Sequence, residues 1–451
     1  MPFTWTGNPI PSSQNIIEAP PVSGLLCQVP NGDLYYVTCA EIGSSPNFNL
    51  WVNKSVDGGE HWTVAYSTVD PSLSFDSFGV AQVGTGIYIF TDNQSLKFDT
   101  TDDTVSVIST GPLGSTGSTA AIFAAACSDG TVYVSFRDRV GSVRDIKGAL
   151  YDPTGDSWGA AQVLVPSING LQPLGQTIDP DTDTVYLFYG YGTNSIGSNQ
   201  NLYCIPVAHP NTPGTAVIAA MTNTTGTDGY RGAYGSPAVA NGEVVFPFYD
   251  PTNTSFPGAF EPLFVARSPL SPLSFTSEQV PGPAVWSFRS YEPPIAACWS
   301  CINLNGKMYV LYSTNATLDT IDPTQSQSTL HIQETTAPGV WGAVEDVYTG
   351  PLPSSAIGVY PLALTANRVG LVHSVVNPVT FPAYASLSSV FEVSGIPIVM
   401  IPPPQIAGGM GCLPECFDYC APVSVESMND SGVGGDPAIV AGIVGALLLG
   451  S

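Results

Sequence analysis

Three aspartates spaced two apart, Asp179, Asp181 and Asp183, open the way a calcium loop opens, with oxygen ligands at alternate positions. The glycine and the closing glutamate that such a loop requires are missing at the matching places, so the run reads as a hairpin rich in Asp. Cys298-Trp299-Ser300-Cys301 has the spacing of a redox pair, but it falls in an apolar run of strand character rather than at a helix start. Two buried structural thiols are the better reading. Four scattered histidines form no metal cluster with the cysteines, and no phosphate-cradling glycine loop, zincin helix or serine-hydrolase elbow occurs. A glycosidase needs two carboxylates across the scissile bond, and 36 acidic residues offer pairs without singling one out. No catalytic residue, metal ligand or cofactor is therefore assigned. Sugar binding has a better-defined signal, since exposed aromatics stack on sugar faces while amides bond the hydroxyls. Tyr189, Tyr191 and Asn194 in one stretch, with Tyr230, Arg231 and Tyr234 in another, have that character and are candidate ligand loops for a cell-surface glycan.

These residues sit in a chain that repeats. A turn followed by a β-rich run recurs at roughly 45 to 65 residues, the spacing of propeller blades. The copies begin at Asn31, Gly84, Asp129, Asp183, Asn241, Asn305 and Asn367. Apolar or aromatic residues fall at every second place within the runs, as at Val132, Val134 and Phe136, or Val185, Leu187 and Tyr189. An outer hairpin follows each run, and a strand of small residues precedes most of them, for example 24–29, 78–83 and 359–365. The expected fold is all-β, a seven-bladed β-propeller of four-stranded antiparallel blades over 24–401. Residues 1–23 form an N-terminal arm, and within it 15–18 is a candidate for the strand that closes the ring.

Composition agrees with an all-β chain of many turns, with Gly 46, Pro 41 and only 10% charged residues. Acidic residues outnumber basic ones 36 to 11, and a net charge of −25 repels nucleic acid and anionic membrane surfaces. The sequence Met1-Pro2-Phe3-Thr4-Trp5 has no basic residue or apolar run, so no secretory signal peptide is expected. Nine cysteines leave at least one thiol unpaired within the chain, and Cys27 and Cys39, on successive strands, are a candidate bridge.

Ser55-Val56-Asp57-Gly58-Gly59-Glu60-His61-Trp62 fits Ser-x-Asp-x-Gly-x-x-Trp. It resembles the Asp-box of sialidase-like propellers, which implies structural roles for Ser55, Asp57, Gly59 and Trp62: a carboxylate capping a tight turn and an indole anchoring it. Degenerate echoes stand at 152–158 and 338–341. The resemblance also implies an arginine triad to clamp a substrate carboxylate, with a Tyr/Glu pair and an acid Asp. The early Arg-Ile-Pro motif is missing; Arg137, Arg139 and Arg144 crowd one blade, while Arg231, Arg289 and Arg368 are spread over three, with Tyr291-Glu292 just after Arg289.

Beyond the repeats, 402–451 changes character. Pro402, Pro403 and Pro404 are stiff, glycines follow, and Cys412, Cys416 and Cys420 stand four apart, as a helix face or as disulfide partners. Asp436-Pro437 starts a short apolar helix over 437–450, which at about 21 Å falls short of the about 30 Å of a bilayer core. Its apolar residues Pro437, Ile439, Val440, Ile443, Val444, Leu447 and Leu448 are expected to pack on other protein subunits, in a homo-oligomer or larger assembly. Low charge, abundant Ser, Thr, Asn and Gly, and this tail resemble phage and other virion appendage proteins. The resulting expectation is a non-enzymatic decoration, spike or tail-appendage protein, extracellular or on a virion, that displays glycan-binding loops. The alternatives are a sialidase-like glycoside hydrolase and a surface-layer or filament subunit.

Overall fold

The structure, a computed structural model, describes residues 8–9 and, within 25–392, all but 42–47, 60, 71–77, 92–93, 115–119, 141–142, 167–170, 192–199, 223–235, 250–259, 262, 283–284, 287–298, 305, 318–326, 352–358, 366–367 and 377–383. It is nearly all strand, in five four-stranded sheets, two five-stranded sheets and one two-stranded ribbon. Blade 1 runs Leu25–Gln28, Leu34–Glu41, Phe48–Ser55 and Thr63–Asp70, with each strand pairing antiparallel to the next. Blade 2 follows with Gly79–Val83, Gly86–Phe90, Ser95–Asp99 and Thr104–Ile108. In blade 3 (Ala120–Ala126, Val132–Val140, Val143–Asp152) the outer rank is split between Ser157–Trp158 and Gln162–Val165, both paired to the third strand. Blade 4 (Leu171–Ile178, Val185–Tyr191, Gln200–Ala208) splits its outer rank likewise. Blades 5 and 6 begin at Ala238–Ala240 and Trp299–Leu304.

Blade 7 (Val359–Thr365, Arg368–Val376, Tyr384–Glu392) has three strands of its own, and its fourth comes from the other end of the chain. Asn8 and Pro9 pair with Ser388 and Leu387. The arm thus closes the last sheet, but with 8–9 in place of the expected 15–18, which lie outside the described residues. Proline suits this place, because an outermost strand does not need its N–H. The innermost strands pack in a closed cycle, each on the next, with Val359–Thr365 returning to Leu25–Gln28. Seven blades arranged in a ring are what the turn count predicts. The one inner strand that the small-residue pattern does not pick out is Leu171–Ile178, whose Pro173 and Gly175 flank an irregularity in its pairing. The chain divides into two units, 1–403 and 404–451. The expected apolar helix, with Cys412, Cys416 and Cys420, falls in the second and lies outside the described residues.

The strand period explains the packing. Successive side chains point to opposite faces, so the second strand of a blade, buried on both faces, serves two cores. Val132, Val134 and Phe136 join Phe90 and Ile122 between blades 2 and 3, whereas Tyr133 joins Val185 and Leu187 between blades 3 and 4. Tyr186 and Phe188, alternating with Val185 and Leu187, belong to the next core with Phe246. A tyrosine in that strand also reaches across to the outer hairpin of the following blade. Tyr35 Oη donates to Asp103 Oδ1 at 3.1 Å, Tyr133 Oη to Asn211 Oδ1 at 3.2 Å, and Tyr186 Oη to the Leu270 carbonyl at 3.3 Å. Asn211 answers by donating from Nδ2 to the Gly148 carbonyl of blade 3 at 3.0 Å. Between blades 5 and 6 a buried arginine takes over: Arg267, 1% exposed, lies 3.2 Å from Glu278 of its own blade and donates to Thr335 Oγ1 of blade 6 at 2.7 Å.

The turn over 55–62 is held by its own side chains. Ser55 Oγ donates to Asp57 Oδ1 (2.7 Å) and accepts from the Gly59 N–H (2.8 Å). Asp57 Oδ1 accepts from the His61 N–H (2.9 Å), its Oδ2 lies 2.6 Å from His61 Nδ1, and buried Trp62 donates Nε1–H to the Gly59 carbonyl. Gly58 and Gly59 have φ of 73° and 98°, which an L side chain resists. The echo at 152–158 keeps the indole and changes its partner: Trp158 Nε1 donates to the Ser109 carbonyl at 2.8 Å.

Two outcomes are expected. Tyr133→Phe removes a part-buried hydrogen bond between blades and lowers unfolding free energy by about 1 kcal/mol in urea titration; an unchanged midpoint would show the hydroxyl to be idle. Desolvation pushes the Asp57 carboxyl up, but the His61 N–H, the Ser55 hydroxyl and the His61 ring outweigh it and hold the pKa at about 2. Stability contributed by a depressed carboxyl is complete above its unfolded value, about 3.9, and is lost as pH falls toward the folded one. Melting temperature between pH 4 and pH 2 is therefore expected to fall less steeply in Asp57→Asn than in the wild type.

Candidate functional site

Antiparallel strands give the ring two unlike ends. Connections from first to second and from third to fourth strand emerge at one end, the turn end, and are short, as at Gly84-Thr85 and Asn241-Gly242. The turn at Asp57 is there. Second-to-third connections and those to the next blade emerge at the other, the loop end, where 192–199 and 223–235 join strands of blades 4 and 5. Asn194 belongs to the first of these segments and Tyr230, Arg231 and Tyr234 to the second, all four outside the described residues. Tyr191 closes the strand that leads to the first.

Tyr189 requires a correction. It lies inside Val185–Tyr191, is only 4% exposed, and stacks on Tyr203 with ring centroids 5.3 Å apart. A tyrosine in the interior of a second strand packs core, so it is no displayed platform.

The loop end of blade 3 holds a concentration of charge that is exceptional in this chain. Arg137, Arg139, Arg144 and Lys147 are four of the eleven basic residues, and all lie in one hairpin with Asp138 and Asp145. Register sorts them by face, because directly opposed residues share one. Arg137 opposes Ile146 and Arg139 opposes Arg144, while Asp138 opposes Asp145. Ile146 is buried in the core between blades 3 and 4, so the arginine positions belong to the side facing blade 4. Ser135, two residues before Arg137, confirms the direction, since its hydroxyl bonds Gln176 of blade 4. On the facing surface of blade 4 the same core takes Val185, Leu187 and Tyr189, and Tyr191 is the next position along that row. The facing surfaces of blades 3 and 4 therefore carry three arginine positions on one side and the positions of Val185, Leu187, Tyr189 and Tyr191 on the other. On the opposite face of the hairpin Asp138, 6% exposed, is paired with Lys147 Nζ. Spacing of two within a strand already puts 137 and 139 on one side; that 144 joins them across the hairpin required the register.

Other candidates reduce to packing. Asp179 accepts from the Asp181 N–H and the Thr182 hydroxyl, and Asp183, at φ 54°, bonds the Ser128 N–H and hydroxyl in blade 3, so the Asp run caps a turn and staples two blades. Among the described residues no group of three His, Cys, Asp or Glu side chains is placed to hold a metal. Cys27 opposes Tyr35, and Val37 already opposes Leu25, so Cys39 lies past the end of the first strand. The expected Cys27–Cys39 bridge is corrected to a free, buried Cys27, whose thiol burial pushes up to about 12. Cys301 is likewise free and buried; Cys298 lies outside the described residues. Of the spread arginines, Arg231 and Arg289 also lie outside them. A depression of about 530 Å³ at the turn end is lined by Gln28, Pro30, Gly32 and Gln82, whose amides are spent on Gly32, Gln28 and Gly84 carbonyls. His331 Nδ1 lies 2.7 Å from Asp346 Oδ1 against Tyr312 in blade 6, where burial lowers the imidazole pKa against the pull of Asp346. No helix among the described residues is long and apolar enough to cross a membrane.

No family model and no curated protein matches the chain. Solved structures do. The BP39L lectin from Burkholderia pseudomallei is 13% identical with a TM-score of 0.53, over 84% of this chain and 97% of that one. The alpha-L-arabinanase of Penicillium chrysogenum complexed with arabinobiose is 14% identical with a TM-score of 0.46, over 85% and 99%. The polysaccharide lyase Uly1 is 8% identical with a TM-score of 0.49, over 83% and 90%. At such identities the likeness is one of fold. It corrects the expectation of a virion appendage, which rested on composition: the similar propellers named here are a lectin and two carbohydrate-cleaving enzymes.

Proposed function

We propose that this chain is a glycan-active propeller that takes a carbohydrate chain at the loop end of its ring, over the crevice between blades 3 and 4. The observation that carries this reading is the register that puts the Arg137, Arg139 and Arg144 positions on the side of blade 3 facing blade 4, where Tyr191 ends the second strand. Guanidinium groups bind hydroxyls and carboxylates in pairs of hydrogen bonds, and tyrosine offers a flat apolar face to a sugar ring. Both are needed for a ligand that is polar at its rim and apolar on its faces.

Hydrolysis of a glycosidic bond is the second reading. Asp138 and Asp145 oppose each other across the same hairpin end, and directly opposed side chains start about 5 Å apart, near the carboxylate separation of a retaining glycosidase. In that reading Asp145, the more exposed of the two and on the side of the hairpin facing blade 2, works on a substrate that crosses the hairpin end from the crevice.

Retention on a panel of immobilised polysaccharides tests the first reading. At least one class is expected to retain the full chain, Tyr191→Ala to weaken retention about tenfold, in line with the cost of one stacking contact, and Val56→Ser, on the Asp-box turn at the other end, to leave it unchanged. Retention of nothing, or equal loss in both variants, would remove it. Release of reducing ends from the retained glycan tests the second: Asp145→Asn is expected to abolish release and spare retention, and a wild type that releases none contradicts hydrolysis.

A further inference from the structure

We infer that Asn241-Gly242, the turn joining the first two strands of blade 5, is a self-modification site at which the asparagine is converted to aspartate and isoaspartate with loss of ammonia. The reaction needs only water. The Gly242 main-chain nitrogen attacks Asn241 Cγ, a C–N bond forms, the Cγ–Nδ2 bond breaks, and Nδ2 leaves as ammonia with the proton given up by the attacking N–H. Water then adds to either carbonyl of the cyclic imide and opens it. Opening at the main-chain carbonyl leaves isoaspartate, with the chain routed through the former side chain; opening at the side-chain carbonyl leaves aspartate. Glycine favours the attack because it has no Cβ to hinder the approach.

Sequence alone does not single this pair out. Asn31-Gly32, Asn241-Gly242 and Asn305-Gly306 all stand before second strands, and another pair, at 169–170, lies outside the described residues. What separates them is how the attacking N–H and the carboxamide are engaged. The Gly32 N–H donates to the Val29 carbonyl at 2.8 Å, and the Asn31 carboxamide is held twice by Asp33, donating to its Oδ2 and accepting from its N–H, each at 3.0 Å. The Gly306 N–H donates to Asn303 Oδ1 at 2.9 Å. In the blade 5 hairpin Ala240 opposes Glu243, so 241 and 242 are the turn itself, at φ 53° and 72°. Such a turn spends its hydrogen bond on the flanking pair and leaves the N–H of its second residue to solvent. Gly242 is fastened instead by its carbonyl, which accepts from the Leu270 N–H at 3.0 Å. Asn241 and Gly242 are both exposed, and among the described residues no hydrogen bond holds the Asn241 carboxamide or the Gly242 nitrogen. The position matters for the ring. Glu243, next in the chain, lies 3.4 Å from the buried Arg267, which holds Thr335 of blade 6. Isoaspartate lengthens the main chain inside a tight turn, so it disturbs the Ala240–Glu243 register and loosens this seam between blades 5 and 6.

The test is incubation of the full chain in heavy-oxygen water at mildly alkaline pH, once folded and once in urea, with its peptides weighed by mass spectrometry over time. In the folded chain the peptide with Asn241 is expected to take up a heavy oxygen about tenfold faster than those with Asn31 or Asn305, where hydrogen bonds must break before attack. In urea the three are expected to converge, because the same dipeptide is then free in each. Folded chain aged until Asn241 is converted is expected to melt at a lower temperature than fresh chain, while Asn241→Gly, which suits the turn and cannot form the imide, keeps its melting temperature through the same treatment. Conversion of Asn31 or Asn305 in the folded chain as fast as Asn241, or conversion of Asn241 in urea only, would overturn the inference. An equal fall in melting temperature in the variant would overturn the assignment of the damage to this seam.

Discussion

A four-stranded blade has two faces and cannot bury either by itself, and every other feature of this molecule follows from that constraint. The second strands show it in their sequence, where residues of both parities are apolar or aromatic, because Val132 and Tyr133, or Leu187 and Phe188, belong to different cores. Each blade needs a neighbour on both sides, so the structure is stable only as a closed cycle. Closure comes from pairing the two ends of the ring through Asn8 and Pro9 against Leu387 and Ser388. The cross-blade tyrosines add direction to what burial alone leaves loose, since Tyr35, Tyr133 and Tyr186 each fasten the outer hairpin of the blade that follows.

That arrangement divides labour between the two ends. The turn end is occupied with holding blades together: Asp103, Asp156 and Asp183 adopt positive φ and spend their carboxylates on the preceding blade, and Asp57 spends its own within its turn. The loop end carries the longer connections and the charge of the blade 3 hairpin. A rigid ring that presents longer connections at one end is the arrangement on which binding residues are usually found.

Much of this was legible in the residues. Turn signals such as Asn241-Gly242 and period-two runs located seven blades, because both arise from local backbone preferences. The inner strand Leu171–Ile178 escaped because its irregular pairing at Pro173 and Gly175 breaks the pattern. Closure was expected from the arm, but its register depends on pairing across the whole chain, and 15–18 was chosen where 8–9 does the work. Tyr189 looked like a displayed aromatic because Gly190 and Gly192 suggest a loop; burial on both faces of a second strand decides otherwise. The Cys27–Cys39 bridge failed for the same reason of register. The clustering of Arg137, Arg139 and Arg144 was visible, while its meaning was not, since which face they share and what stands opposite are properties of paired strands.

The most direct measurement is a crystal structure of the full chain soaked with an oligosaccharide of the glycan class that retains it. Saccharide density at the loop end between blades 3 and 4 is the result predicted. Ordered saccharide at the turn end, or on blades remote from that crevice, would contradict it.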